Sequence, residues 1–115
     1  MNKALLLDPF VPCIYEVSVG DFKDIQRHIG CDVFTCVRSA ALGDNVMYLD
    51  DEGLINGTSR ATRFVDEVYP SALAGRILIL GDDGHGGDKD CTLSVAKVQT
   101  LVKHVCDILP NDCDF

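Results

Sequence analysis

The stretch "GRILILG", Gly75 to Gly81, places four apolar residues in succession between an arginine and a closing glycine. A strand with one solvent-facing side alternates apolar and polar residues, whereas a strand covered on both sides carries a continuous apolar run. The run is also shorter than an ordinary helix. The sequence therefore predicts a central strand here, in a sheet that has protein packed on both of its faces.

Two further strands are predicted near the N-terminus. Ala4 to Leu7 is a short apolar run, and "CIYEVSV", Cys13 to Val19, alternates between two faces. Asp8-Pro9 and Val11-Pro12 interrupt the chain between them, as expected of a turn. The pattern predicts a β-hairpin.

The segment "GDFKDIQRHIG" carries helix signals at both ends. Asp21 suits the N-cap, Asp24 places negative charge in the first turn, and Gly30 suits the position just past the last turn. We predict that the inward stripe of this helix comprises Phe22, Ile25 and Ile29.

A second principal helix is predicted from Val95 to Leu109. Ser94 is suited to the N-cap, Leu93 and Val98 have the spacing of a hydrophobic staple, and Pro110 ends the pattern. The apolar stripe consists of Val95, Val98, Val102, Val105 and Leu109, widened by Leu101 and Ile108.

The remaining elements complete an α+β domain. Cys31–Val37 and Asn45–Leu49 read as strands, and Thr58–Val68 reads as a short helix with Phe64, Val65 and Val68 inward. The predicted architecture is a mixed, mainly antiparallel sheet of about five strands with two main helices packed on it. Residues 1–109 form a single domain in this reading, and residues 110–115 form an acidic C-terminal tail.

The charge of the chain is strongly negative. Ten Lys and Arg stand against eighteen Asp and Glu, for a net charge of −8. Such a chain is expected to repel nucleic-acid backbones, which disfavours direct DNA or RNA binding. No apolar run approaches the roughly 18 residues of a membrane span, and Asp8 and Pro9 interrupt the N-terminal apolar run too early for a secretory signal. We therefore expect a cytoplasmic location and no membrane partner.

The six cysteines contain no Cys-x-x-Cys pair, and the expected compartment is reducing, so no disulfide is predicted to be needed for folding. Cys106 and Cys113 are expected to be exposed and able to cross-link in oxidising buffer. A zinc site with His28, His85 or His104 lacks the required spacing. The cysteines predicted as small core residues are Cys13, Cys31, Cys36 and Cys91.

The loop "GDDGHGGDKDC", Gly81 to Cys91, holds four aspartates and four glycines. Its carboxylates suit calcium, but the terminal bidentate Glu of a helix-loop-helix calcium site is missing. Its negative charge opposes phosphate binding, and no Gly-Lys-Ser/Thr follows. We predict no metal and no cofactor, and the simplest reading is a mobile loop that joins a strand to a helix.

Catalytic signals are weak. Asp50, Asp51 and Glu52 are neighbouring carboxylates, but they are predicted to lie in a turn rather than in a pocket that would shift a pKa. Cys91 and His85 could form a thiol–imidazole pair, yet the surrounding acids disfavour a thiolate. The sequence favours a protein that is not an enzyme.

The order of these segments resembles a family of short phage and mobile-element proteins that is catalogued only as a domain of unknown function (family 3846). The resemblance covers about residues 1–109 and is most specific at Asp51–Leu54, Arg60–Thr62 and Gly75–Gly81. Ser59 stands where members usually have Asn, which weakens any role carried over to that position. The resemblance implies no established activity. It implies a genomic setting in which small acidic proteins interfere with host machinery, including restriction and CRISPR systems.

The expected function is binding to a host protein that has a basic surface. Two acidic clusters, residues 50–52 and 82–90, would form one band if the turns of the sheet gather at one edge. Such a band would imitate the phosphates of a duplex and inhibit a nucleic-acid-handling complex. The alternative is a regulatory protein in which Arg60 and Arg63, one helical turn apart, bind a small anion or nucleotide. A purely structural interpretation is that these arginines form ion pairs with Glu67 and Asp66 on the solvent-exposed face of a helix. The predicted partner-binding residues are Asp50, Asp51, Glu52, Asp82, Asp83, Asp88 and Asp90. The oligomeric state does not follow from the sequence.

Overall fold

The computed structural model describes residues 1–50, 60–84 and 87–107. For residues 106 and 107 it describes the backbone alone. Its helices are α1 (Phe22–Ile29) and α2 (Val95–Leu101), and a 3-10 turn spans Ala40–Leu42. The strands are β1 (Asn2–Asp8), β2 (Cys13–Val19), β3 (Phe34–Arg38), β4 (Asn45–Asp50), β5 (Arg60–Phe64), β6 (Leu73–Ala74), β7 (Ile77–Asp82), β8 (Asp88–Lys89) and β9 (Val102–Asp107).

The main sheet has the order β2-β1-β7-β4-β3, and β8 pairs with the end of β7. All of these pairs are antiparallel. The prediction that the "GRILILG" strand is central is confirmed, because Ile77, Leu78, Ile79 and Leu80 are all fully buried. Alternate side chains of β7 enter two separate apolar clusters, one on each face of the sheet.

The predicted N-terminal hairpin and the first helix are confirmed. β1 and β2 pair from Asn2 with Val19 to Asp8 with Cys13. In the turn, the Asp8 carboxylate accepts a hydrogen bond from the Phe10 amide at 2.9 Å. In α1 the Asp21 side chain caps the Asp24 amide, and Gly30 ends the helix in the left-handed conformation with φ 82°.

Helix α1 covers one face of the main sheet. Ile25 and Ile29 are buried against β1 and β7 residues, but Phe22 is 59% exposed, so its predicted inward orientation is wrong. Phe22 is the first residue of the helix, whose buried residues are Ile25 and Ile29. The buried cluster on this face consists of Ala4, Leu6, Val19, Ile25, Ile29, Leu78 and Leu80.

A second sheet, with the order β6-β5-β9, covers the other face together with α2. The predicted helix over Thr58–Val68 is wrong for residues 60–64, which form β5 between two partner strands. Thr58 and Ser59 lie outside the described residues. The predicted helix over Val95–Leu109 is wrong for residues 102–107, which form β9, and Ile108 and Leu109 lie outside the described residues.

The physical reason for both differences is long-range pairing. Val102 and Val105 fit a helical stripe and a β-strand equally well, since β-branched residues favour extended backbone. Strand β9 pairs with β5 from Arg60 with Asp107 to Phe64 with Val102. Each strand therefore forms backbone hydrogen bonds with the other, and the sequence of neither segment alone predicts this pairing.

Helix α2 begins as predicted. The Ser94 hydroxyl accepts a hydrogen bond from the Lys97 amide at 3.1 Å, and Val98 is fully buried. Across the described ranges, no helix has the length and apolar character needed to span a membrane. The α+β class with a mainly antiparallel sheet and two helices is confirmed, and strands dominate it.

Candidate functional site

Asp50 and Asp82, one from each of the two acidic clusters predicted to form one band, lie at opposite ends of the main sheet. β4 and β7 are antiparallel, with Asn45 opposite Gly81 and Leu49 opposite Ile77. Asp50 therefore follows the pair at one end, whereas Asp82 lies at the other, roughly 15–20 Å away by the rise of a strand. The expectation of a single band is wrong for these residues. Asp51 and Glu52 lie outside the described residues.

The second cluster forms an ordered structure, which we call the acidic hairpin: residues 81–84 and 87–91. Gly81 pairs with Lys89 and Asp82 with Asp88, so the chain reverses on itself before α2. The Cys91 amide then donates to the Lys3 carbonyl at 2.7 Å, which ties the hairpin to β1. The expectation of a mobile loop is therefore wrong for the described part of this segment.

Each predicted aspartate of the acidic hairpin accepts a hydrogen bond. Asp83 accepts from the Gly87 amide at 3.0 Å, Asp88 from the Tyr48 hydroxyl at 3.0 Å, and Asp90 from the Lys3 amide at 2.8 Å. Asp82 accepts from the Gly84 amide at 2.9 Å and forms an ion pair with Arg38. The side chains of Asp83, Asp88 and Asp90 are exposed, so carboxylates held by the fold face solvent.

Outside the acidic hairpin, Asp44 and Arg38 lie against it, and Lys89 is the one base within its described residues. Lys89 lies 3.8 Å from a carboxylate oxygen of Asp44, and Arg38 is engaged by Asp82. Both bases thus have a carboxylate partner. Five aspartates lie around Arg38 and Lys89, and the nearby Lys3 side chain is paired with Glu16, so the local charge is negative.

Two contacts lower the pKa of Asp82. The hydrogen bond from the Gly84 amide contributes most, followed by the hydrogen bond from Arg38, and both favour the ionised carboxylate. Burial also raises the pKa of the Tyr48 phenol, and the neighbouring Asp88 carboxylate raises it further. Tyr48 is therefore a hydrogen-bond donor rather than a base at neutral pH.

The Asp82–Arg38 pair predicts an acid-dependent contribution to stability. The folded pKa of Asp82 lies below its ordinary value of 3.8. The contribution is therefore complete above that value and is lost as the pH falls through the lower folded pKa. We expect the urea midpoint to fall further between about pH 5 and about pH 2 in the wild type than in Asp82→Asn, which keeps an acceptor for Gly84. Equal falls in the two proteins would contradict this prediction.

The arginines of the alternative anion site do not converge. Arg60 and Arg63 lie on strand β5, where an odd spacing sends side chains to opposite faces. Arg63 donates to the Pro70 carbonyl at 3.5 Å. Asp66 lies 3.8 Å from Lys103 rather than beside either arginine. The paired-arginine site and the solvated-helix arrangement both required a helix, and both are wrong.

At the opposite end of the main sheet lies a cleft of about 530 Å³, which sequence reasoning missed. It opens between the β1–β2 turn, the end of α1 and the start of β3. We call it the basal cleft, and the described residues that line it are Phe10, Gln26, Arg27, Ile29, Gly30, Cys31, Asp32, Asp50, Gly75 and Arg76. These segments are distant in sequence, and the sequence analysis named Ile29, Gly30, Cys31, Asp50 and Gly75 only for other roles, so no local pattern predicted the cleft.

The surroundings of Cys31 in the basal cleft change the pKa of its thiol. Burial raises the pKa of its thiol to about 11, and the Asp50 and Asp32 carboxylates contribute to that shift. The thiol is therefore protonated at neutral pH. Burial also raises the pKa of Cys91, and its thiol donates a weak hydrogen bond to the Leu93 carbonyl at 3.7 Å.

The cysteine predictions are confirmed in part. Cys91 is buried and Cys31 is half-buried, but Cys13 and Cys36 are exposed, so their assignment to the core is wrong. Both lie on the outermost strands of the main sheet, where one side faces solvent. These four cysteines are free thiols. The side chains of Cys106 and Cys113 lie outside the described residues.

Within the described ranges, no three His, Cys, Asp or Glu side chains are grouped so that they could hold a metal ion. His28 is half-buried, and its ring nitrogen lies 3.2 Å from the Ser18 carbonyl oxygen. His104 lies on β9, where Arg63 is its partner residue on β5. His85 and the predicted tail, residues 110–115, lie outside the described residues.

The family model described as "Domain of unknown function (DUF3846)" matches residues 1–105. The chain belongs to this family. It is also 34% identical over 86 residues to the "Uncharacterized protein y4iR" of Sinorhizobium fredii, a match that covers 72% of this chain and 51% of that protein. The chain thus spans about half the length of the curated relative it matches. No solved structure matches this chain.

Proposed function

We propose that this protein is a non-catalytic inhibitor encoded by a phage or mobile element. It acts in the cytoplasm of the host, where the acidic hairpin occupies the basic nucleic-acid-binding surface of a restriction or CRISPR effector. The partner is a protein, and neither nucleic acid nor membrane is bound directly.

The observation that carries this proposal is the fixed geometry of exposed carboxylates. Asp83, Asp88 and Asp90 face solvent while the Gly87 amide, the Tyr48 hydroxyl and the Lys3 amide hold them in place. A duplex presents its phosphates at fixed positions, and a basic channel is shaped to receive them. Carboxylates whose positions are already fixed lose little conformational entropy on binding, which favours affinity.

The charge of the whole chain supports the same proposal. A net charge of −8 would steer the protein towards a basic surface and speed association. Such steering weakens with salt, because the screening length is only about 10 Å at 0.1 M.

The state of the thiols favours binding over catalysis. The pKa values of Cys31 and Cys91 are raised, mainly by burial, and the attacking form of a cysteine is the thiolate. Tyr48 is likewise protonated, as its raised pKa indicates. None of these groups is poised as a nucleophile or base at neutral pH.

The proposal is tested by displacement of DNA from host effectors. Purified restriction and CRISPR effector complexes are loaded with fluorescent duplex DNA and titrated with the wild-type protein. We expect displacement from at least one effector, and a half-maximal concentration raised about 10- to 100-fold by the triple substitution Asp83→Asn, Asp88→Asn and Asp90→Asn. Asparagine keeps an acceptor oxygen for each hydrogen bond, so the hairpin is retained while three charges are removed.

A matched control removes the same number of charges elsewhere. Glu16, Asp66 and Glu67 are exposed and lie outside the acidic hairpin, and Glu16→Gln, Asp66→Asn and Glu67→Gln should leave displacement close to wild type. Equal losses in the two triple variants would show that only the overall charge matters, and would overturn the role of the hairpin. Absence of displacement from every effector would overturn the proposed function.

A further inference from the structure

The basal cleft carries groups of both charges on one concave surface. Its lining includes two arginines, Arg27 and Arg76, and two aspartates, Asp32 and Asp50. Its volume of about 530 Å³ lies within the range of small-molecule sites. Phe10 and Ile29 add apolar surface. This combination is typical of sites that orient a small ligand through a few polar groups.

Arg76 is held in a defined position at the wall of the cleft. Its Nε donates to the Asp8 carboxylate at 3.2 Å, and its guanidinium carbon lies 5.1 Å from the centre of the Phe10 ring. Its Nη1 lies 3.4 Å from the position that a Cβ would take on Gly30. Among the described residues, Asp8 is the acceptor for the Arg76 guanidinium, and it contacts Nε. The Nη groups of Arg76 can therefore donate to a ligand.

Two carboxylates share the lining with this guanidinium. The Asp32 carbonyl accepts from the Gln26 side chain at 2.7 Å, which fixes the backbone beside the Asp32 carboxylate. Asp50 ends β4 opposite Phe34 of β3. The contribution of both carboxylates to the raised pKa of Cys31 shows that their negative field extends into the cleft.

We propose that the basal cleft binds a small zwitterion with the charge arrangement of a free α-amino acid. The ligand carboxylate pairs with the Nη groups of Arg76, and its ammonium group is received by Asp32, in a negative field to which Asp50 contributes. The apolar part of the ligand lies against Phe10.

Ligands of a single charge fit this lining less well. A simple anion would pair with Arg76 but would face the field of Asp32 and Asp50, while a simple cation would face the guanidinium of Arg76. Like charges in a partly buried site destabilise a complex, whereas groups of both signs are matched by a zwitterion. The cleft lies at the far end of the sheet from the acidic hairpin, so this inference does not rest on the proposed function.

The test uses ligands that differ by one charge. A panel of free α-amino acids is compared with the carboxamides and the N-acetyl derivatives of the same amino acids, by calorimetry and thermal unfolding of the full chain. We expect at least one free amino acid to bind and to raise the melting temperature by roughly 5 °C at saturation. Both blocked derivatives should bind at least about tenfold more weakly.

Two further measurements locate the site. The double variant Asp32→Asn and Asp50→Asn should weaken binding of the free amino acid about tenfold or more, while Asp66→Asn with Glu67→Gln should not. Bound ligand should also slow alkylation of Cys31 by iodoacetamide, followed by peptide mass spectrometry. Exposed Cys36, which does not line the cleft, serves as the internal reference.

Three results would overturn the inference. The first is that no amino acid of the panel changes the melting temperature or gives a calorimetric signal. The second is equal binding of the blocked and free forms, which would mean that the ligand is not recognised by both charges. The third is binding without protection of Cys31, or with equal loss in the two double variants, which would place it outside the cleft. Each of these outcomes leaves the DNA-displacement test of the acidic hairpin unaffected.

Discussion

Replacement of Phe64 by alanine is expected to lower the free energy of unfolding by about 3–5 kcal/mol. Phe64 is 1% exposed and belongs to the apolar cluster between the main sheet and the β6-β5-β9 sheet. Truncation to alanine removes the buried ring and leaves a cavity that the flanking β-strands cannot readily fill. Urea unfolding followed by circular dichroism measures the loss.

Phe22→Ala is the matched control for this substitution. The chemical change is identical, but Phe22 is 59% exposed at the start of α1, so we expect a cost within about 0.5 kcal/mol. The sequence pattern assigned both rings to the core, and the structure separates them. Similar losses at the two positions would contradict the placement of β5 within the core.

Replacement of Gly81 by alanine is expected to cost about 1–3 kcal/mol and to separate β8 from β7. A Cβ at this position would lie 2.4 Å from the Asp90 carbonyl oxygen and 2.6 Å from Cγ of Lys89. The first of these neighbours is backbone, so the clash is relieved only if the hairpin moves. Thermal unfolding measures the cost, and amide exchange at Lys89 measures the separation.

Gly84→Asn provides the comparison within the same hairpin. No atom lies within 4 Å of a Cβ there, and asparagine tolerates the positive φ of 82° better than most residues. We expect a smaller loss of stability than for Gly81→Ala, with the exchange of Lys89 unchanged. Fast exchange at Lys89 in Gly84→Asn alone would show that the turn, rather than close approach at Gly81, holds the hairpin.

The acidic hairpin also shows why charge reversal is a poor test of its function. The sequence alone suggests that lysine at Asp82, Asp83, Asp88 and Asp90 would leave the fold intact. In the structure these carboxylates accept hydrogen bonds from Gly84, Gly87, Tyr48 and Lys3, and Asp82 also pairs with Arg38. Lysine cannot accept any of these bonds. Loss of binding in such a variant would therefore mix a change of fold with a change of charge.

Several features of this fold were predictable because their signals are local. The Asp21 cap and Gly30 terminator of α1 act within a few residues of the helix they bound, and the β1–β2 hairpin is specified by alternation around a short turn. The apolar run of β7 likewise predicted its central place. The acidity of the segment around Asp82 was also evident from the residues themselves.

The sequence by itself determined the α+β class, the positions of the caps and turns, and the residues available for an acidic surface. Only the tertiary structure decided that 60–64 and 102–107 are paired strands, because Val102 and Val105 suit either a helix or a strand until a partner supplies backbone hydrogen bonds. It also decided that Asp50 and Asp82 lie apart, since the direction of pairing between β4 and β7 fixes which ends meet. The basal cleft arises for the same reason: Phe10, Asp32 and Arg76 become neighbours only through contacts between segments far apart in the chain.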